Sequence, residues 1–123
     1  MHAAAHEMAV ELEVGDIHTK GEEWGELSVR HCDLPAGADL RPLLAGLPGD
    51  HCDCPHWGYI VEGSIHVRYA DGTEDVNRAG DVYYWPGGHT GWTDEGVVFV
   101  EFSPTEQIRP VLEHLAAQLA PST

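Results

Sequence analysis

The chain has 123 residues, of which 42% are hydrophobic and 22% are charged, and this is the composition of one globular domain. Six Lys and Arg against 21 Asp and Glu give a formal net charge of −15, and the resulting negative field repels phosphate backbones and anionic membrane surfaces. We therefore expect no nucleic-acid partner and no membrane association, since no stretch approaches the roughly 20 apolar residues that span a bilayer.

The cysteines and the first residues favour a cytoplasmic protein. Cys32, Cys52 and Cys54 make an odd number, and a Cys-x-Cys pair is too close for an easy bridge, so thiols or metal ligands are favoured over a disulfide framework. The first 20 residues lack a basic start followed by an apolar block, which a secretory leader would have. We expect residues 1–8 and the final residues of the chain to be disordered.

Short segments of alternating apolar and polar residues recur from residue 9 to residue 103 and predict β-strands. Glu62-Gly63 is interpreted as a break between two strands, and Asp71-Gly72 predicts a tight hairpin flanked by Tyr69 and Glu74. About eight strands at a spacing of roughly 8–12 residues indicate a small all-β sandwich or barrel over residues 9–103. The predicted strand segments include 10–14, 27–29, 59–61, 65–69, 81–85, 90–93 and 97–102.

The pattern changes after Ser103-Pro104. Apolar residues then recur at helical spacing, which predicts one amphipathic helix over residues 104–120 that ends near Pro121. We expect this helix to pack on the outside of the β-domain or on a second subunit. The apolar positions are Ile108, Val111, Leu112, Leu115 and Leu119.

Side chains able to bind a metal are concentrated between residues 51 and 56, where two histidines and two cysteines lie within six residues. Pro55 favours a turn, so His51 would close one strand and His56 would open the next, with both imidazoles at one end of the barrel. Imidazole and thiolate together suit zinc, copper, iron and nickel. A further histidine, His89, follows another predicted strand.

Two short motifs in this part of the chain resemble those of the cupin superfamily of small β-barrels, over roughly residues 36–103. With Gly63 as the closing glycine of the first motif, His56 falls where the family has Glu, His51 falls on the second His and Gly49 falls on the first. Gly80, Pro86 and Gly88 match the second motif, but His89 follows Gly88 directly, so that loop is two residues shorter. The chain is also similar to small bacterial cupins that have a Pro-Pro-Gly-His form of the second motif.

The resemblance implies an all-β fold, a small double-stranded β-helix (jelly-roll) barrel with a C-terminal α-helix. It also implies one divalent transition metal, Zn, Fe, Ni or Cu, held by His51, His56 and His89. Cys54 shares the strand parity of His56, and if it points inward it would be a fourth ligand and close the site as in structural zinc centres. If Cys54 points outward, a position stays open for water, dioxygen or substrate.

Three functions follow as alternatives. The first is a metal-dependent enzyme acting on a small organic molecule, for which the resemblance favours an oxygenase over a hydrolase. The second is a non-catalytic binding or sensing module with a structural His/Cys zinc site, and the third is a metal-free cupin that binds a ligand. A homodimer is also expected, because strand alternation sends roughly half of the aromatic side chains outward, where they can form an interface.

Overall fold

The computed structural model describes residues 1–119, apart from the side chain of Val14. Within this range the chain forms an all-β jelly-roll barrel followed by one long helix, which confirms the predicted fold class. Neither helix in residues 1–119 is long enough and apolar enough to cross a membrane. The strands are β1 (Ala9–Val14), β2 (Ile17–Trp24), β3 (Leu27–Leu34), β4 (His56–Tyr69), β5 (Glu74–Arg78), β6 (Val82–Trp85), β7 (His89–Trp92) and β8 (Val97–Pro104), and the helices are α1 (Arg41–Leu44) and α2 (Thr105–Leu119).

The strand β4 connects the two sides of the barrel. Its first half pairs with β8 and β6, and its second half pairs with β5 and β7, in each case antiparallel. The pairing register with β8 shifts between Ile60 and Glu62, and Gly63 adopts a φ of 74°. The predicted break at Glu62-Gly63 is therefore wrong. The shift leaves Val61 without a partner in β8, as in a β-bulge, and Gly63 is the last residue of the half that pairs with β8. One continuous strand therefore passes from one sheet to the other.

The tight hairpin at Asp71-Gly72 is confirmed. Tyr69 ends β4 and Glu74 begins β5, and the amide of Gly72 donates to the carbonyl of Tyr69 at 2.9 Å. The sequence analysis predicted no strand at the position of β2, which lies between the predicted strands 10–14 and 27–29. In the N-terminal segment expected to be disordered, residues 5–7 form a 3-10 turn and Met8 is buried.

The helix α2 covers one end of the barrel. Its apolar face packs over a cluster that includes Leu12 and Leu44, and the hydroxyl of Thr105 donates to the carbonyl of Gly25 at 2.9 Å at the start of the helix. The side chains of His114 and Gln118 bond the carbonyl of Ala45. The helix therefore packs on its own β-domain, and its predicted end near Pro121 lies outside the described residues.

A row of polar residues crosses the barrel wall on its inner face. Arg30 of β3 lies directly opposite Glu101 of β8, and its guanidinium bonds the Glu101 carboxylate at 2.8 Å. The carboxylate of Glu11 lies 3.3 Å from the Arg30 Nε atom on the other side, and the Tyr83 hydroxyl donates to Glu101 at 2.9 Å. This ion-pair row, Glu11, Arg30, Glu101 and Tyr83, joins the strands β1, β3, β8 and β6.

Two glycines make room for this row. Gly58 lies between Tyr83 and Glu101 in the strand order, and a Cβ at this position would collide with the Tyr83 hydroxyl. Gly21 lies opposite Arg30, and a Cβ there would collide with the carboxylate of Glu11. Each long polar side chain therefore reaches its partner across a strand that has no side chain at that point.

We expect Arg30→Met to destabilise the protein by about 3–5 kcal/mol, because it leaves two carboxylates in the interior without their cation. Arg68→Met is the matched control, since Arg68 pairs with Glu74 at 3.1 Å but its side chain is 44% exposed, and such pairs contribute at most about 1 kcal/mol. Urea unfolding of both variants measures the difference. Equal losses would show that the buried row does not stabilise the fold.

Candidate metal centre

Three potential metal ligands converge at one end of the barrel, beneath α2. Within the described residues, one donor atom from each of Cys52, His56 and His89 lies within 4.8 Å of the other two. The Cys52 Sγ atom is 3.6 Å from the His56 Nε2 atom, and the two imidazole ring centres are 4.9 Å apart. All three residues are buried.

Backbone pairing brings these residues together. Cys52 forms an isolated antiparallel bridge with His89, in which the Cys52 amide donates to the His89 carbonyl at 2.8 Å and the His89 amide donates back at 3.1 Å. Residues directly opposite in such a bridge have their side chains on the same side. His56 begins β4 opposite Trp85 of β6, and its ring therefore enters the barrel next to that of His89.

Both imidazoles are held through their Nδ1 atoms, so their Nε2 atoms are available to an ion. The His89 Nδ1–H donates to the carbonyl of Pro86 at 2.9 Å. The His56 Nδ1 atom is 2.6 Å from the Ser103 hydroxyl and 3.8 Å from the Glu101 carboxylate. Partners of this kind fix the ring orientation of histidines that bind metals.

The donor set fits a transition metal. A tetrahedral ion with Zn–S of ~2.3 Å and Zn–N of ~2.0–2.1 Å separates the two donors by ~3.6 Å, which matches the 3.6 Å between Cys52 Sγ and His56 Nε2. Burial raises the pKa of the Cys52 thiol to about 11. A bound ion must therefore displace the thiol proton, and metal affinity increases with pH.

Burial keeps both imidazoles neutral, which is the form that binds a metal. Desolvation lowers the pKa of His56 to about 3, with a further contribution from the charge of Arg30. Desolvation also lowers the pKa of His89 to about 4, with a smaller contribution from His56. At neutral pH, neither ring needs to lose a proton before it can bind an ion.

His51, a ligand in the sequence analysis, is not in this group. It has an extended backbone, with φ −141° and ψ 171°, and successive side chains of an extended segment point to opposite sides. Because Cys52 faces His89, the His51 ring points away, packs over Gly49 and lies 3.5 Å from the Asp53 carboxylate.

Cys54, the predicted fourth ligand, is also outside the group of three. The parity argument assumed an extended chain from residue 54 to residue 56, but the chain bends at Cys54. The Cys54 thiol packs in the cluster beneath α2 and lies 3.5 Å from the Pro55 carbonyl. Cys52, which the sequence analysis did not include among the ligands, contributes the sulfur to the group. Its position became evident only from the bridge to His89.

An apolar cavity of about 80 Å³ adjoins the three ligands. Cys52, His56 and His89 form part of its wall, together with Trp85 and Arg30. Most of the other lining side chains are aliphatic, and they come from both sheets, α1 and α2. They include Leu12, Leu34, Leu40, Leu44, Val67 and Val111.

Solved structures with the same fold are cupins. A RmlC-like cupin from Shewanella frigidimarina superposes with a TM-score of 0.60 at 18% identity, covering 83% of this chain and 87% of the other. KdgF from a Halomonas species gives 0.56 at 21% identity, covering 82% and 90%. Oxalate decarboxylase from Bacillus subtilis gives 0.59 at 19% identity, covering 83% of this chain and 28% of the longer one.

These similarities establish that the chain has the cupin fold, as its two motifs implied. No family model matches the sequence, and the curated proteins contain no significant match. The oxalate decarboxylase structures include work on Mn(II) centres, so metal sites occur in proteins of this fold. At these identities the comparison defines the fold, and the activity has to be argued from the site itself.

We expect the metal-free protein to lose stability as the pH falls from about 6.5 to 5. The folded pKa values of His56 and His89 are lowered, so the unfolded chain binds more protons in this range, and each imidazole contributes a slope of up to about 1.4 kcal/mol per pH unit. Urea unfolding at several pH values measures this slope.

His89→Asn is the control for this experiment, because it removes one of the two imidazoles. Its slope should be about half that of the unsubstituted protein if the two rings contribute equally. An unchanged slope in the variant would contradict the assignment to these histidines.

Proposed function

We propose that the protein binds one divalent transition metal through Cys52, His56 and His89 and acts as a metal-dependent enzyme on a small organic molecule. One observation carries this proposal: three donor atoms, rather than four, meet at the wall of an apolar cavity. Catalytic zinc sites have three protein ligands and an open position, whereas structural sites have four. The orientations of His51 and Cys54 support an open fourth position.

The donor set favours zinc, iron, nickel or copper. Imidazole suits these metals and thiolate adds softness, whereas Mn(II) prefers carboxylates and water. A metal of this group supplies Lewis-acid polarisation of a bound oxygen or sulfur atom and, in the case of iron or copper, electron exchange with dioxygen. An oxygenase is the specific activity that we propose.

The chain's own residues orient and shield the reacting molecule. The Ser103 hydroxyl and the Pro86 carbonyl hold the two imidazole rings in place, and a metal bound by Cys52, His56 and His89 would lie at the wall of the cavity. The aliphatic side chains of α1 and α2 exclude water from it, and electrostatic interactions are stronger in such a site. Trp85, whose ring is 4.0 Å from that of Tyr83, gives the cavity a rigid aromatic wall.

A structural metal site in a non-catalytic module is the second candidate. It is favoured by the burial of the ligands, since Cys52, His56 and His89 are each at most 5% exposed. A structural ion stabilises the fold directly. If the ion is structural, the protein should unfold when a chelator removes the metal, whereas with a catalytic ion the metal-free protein should stay folded, with a melting temperature lowered only by the lost binding free energy. A metal-free, ligand-binding cupin is the remaining alternative.

We also propose that the protein is a cytoplasmic homodimer. The thiols of Cys32, Cys52 and Cys54 are free, which suits a reducing compartment. On the outer face of β4, β6 and β8 an apolar patch is exposed, and on a chain of charge −15 such a patch can bring two copies together without opposing their acidic surfaces. The outer patch consists of Trp57, Tyr59, Val61, Val82, Tyr84 and Phe102.

Elemental analysis should find about one metal per chain, and Cys52→Ser and His89→Ala should each lose it. Cys54→Ser and His51→Ala are the matched controls and should keep it, because neither side chain reaches the group of three. Circular dichroism checks that each variant folds. If the two controls lose the metal and Cys52→Ser keeps it, the ligands are instead those expected from the sequence, His51, His56, His89 and Cys54. Absence of metal after reconstitution would overturn the enzyme proposal.

Tyr84→Lys should convert the dimer to a monomer, because it removes the aromatic stack on Trp57, whose ring centre is 5.1 Å away, and places a positive charge from each copy in the proposed interface. Val10→Lys is the control, since Val10 is also exposed but lies on β1 at the far edge of the sheet. Sedimentation velocity measures both. A monomeric unsubstituted protein, or an unaffected Tyr84→Lys dimer, would contradict the proposal.

A further inference from the structure

The charges in the cavity wall restrict what can bind beside the three ligands. Among the described lining residues, Arg30 is the one permanent cation. Its guanidinium is already bonded to Glu101 at 2.8 Å and lies 3.3 Å from Glu11, and its side chain is 10% exposed. Two carboxylates therefore share one cation, and a carboxylate on a ligand would find no free positive partner and would lie near Glu101.

The cavity wall also contains two hydroxyls that have no partner within the described residues. The Oγ1 atoms of Thr19 and Thr90 are both buried without a hydrogen bond, and both residues line the cavity. Thr19 is only 4% exposed. A buried polar atom is normally satisfied by protein, water or a ligand. The Arg30 Nε atom also lacks a hydrogen bond, but it lies 3.3 Å from the Glu11 carboxylate in an ion pair. Besides its apolar surface, the cavity therefore offers a ligand the neutral hydroxyls of Thr19 and Thr90.

We infer that the cavity selects a small, uncharged and mainly apolar molecule that bonds the hydroxyls of Thr19 and Thr90, and that it rejects carboxylates. This inference rests on the proposed function only in taking the cavity as the place where the substrate binds. The cavity is small, about 80 Å³, and this size favours a compact ligand of a few heavy atoms. A neutral polar group on an aliphatic skeleton suits the aliphatic lining, can bond the two hydroxyls and needs no free cation.

Isobutyramide and isobutyrate are a matched pair of probes, since they have the same shape and differ in charge. Binding to the metal-free protein is measured by chemical-shift changes of the cavity methyl groups, which removes any direct contact of a carboxylate with the metal. We expect isobutyramide to bind at least about tenfold more tightly than isobutyrate. Equal affinities, a preference for isobutyrate, or no shift with either probe would overturn the inference.

Substitutions then test the origin of this selectivity. Thr19→Val and Thr90→Val keep the shape but remove the hydroxyl, and each should weaken isobutyramide binding about fivefold, while Thr73→Val at the exposed hairpin should not. Glu101→Gln leaves Arg30 with one carboxylate and should strengthen isobutyrate binding about tenfold; Glu11→Gln is the second variant if Glu101→Gln does not fold. If neither Glu101→Gln nor Glu11→Gln binds isobutyrate more tightly although the variant folds, the role given to Arg30 is wrong.

The metal analysis and this experiment can fail separately. Selective binding of isobutyramide without any metal would leave a ligand-binding cupin and sustain the inference on the cavity. A metal bound by Cys52, His56 and His89 in a protein that prefers isobutyrate would sustain the metal site and overturn the inference.

Discussion

The pairing of Arg30 with Glu101 is the interaction on which the interior of this protein depends. It joins neighbouring strands across the barrel wall, and Glu11 and Tyr83 extend it to β1 and β6. A buried cation is tolerated only with paired and hydrogen-bonded partners, and Gly21 and Gly58 give those partners their space. Burial raises the pKa of the Tyr83 hydroxyl, which thus stays a donor.

The same strand, β8, connects this pairing to the metal centre. Ser103 lies two residues after Glu101, so both side chains point into the barrel, and its hydroxyl is the partner of the His56 Nδ1 atom. One strand therefore positions the anion that holds Arg30 and the hydroxyl that orients His56. The charge balance of the cavity and the orientation of an imidazole have a common structural origin, and a shift of β8 would disturb both.

Much of the fold could be predicted from local patterns. Alternation located most strands, and the Asp71-Gly72 turn was predicted correctly because it needs one positive φ, which Gly72 supplies at 88°. Glu62-Gly63 was misinterpreted, since a glycine with positive φ occurs in turns and also within strands where another backbone approaches closely, as that of Gly96 does here. The choice depended on β8, which pairs with β4 on both sides of the register shift and keeps the strand continuous.

The sequence by itself determined the all-β barrel, the C-terminal helix and the concentration of histidines and cysteines near residue 54. Periodicity and residue type are local properties, and they are sufficient for these conclusions. Only the tertiary structure decided which side chains meet. Cys52 faces His89 because the two residues pair across a bridge, while His51 and Cys54 turn away. The direction of a side chain in a short loop is set by the strand with which it pairs, and that partner is distant in sequence.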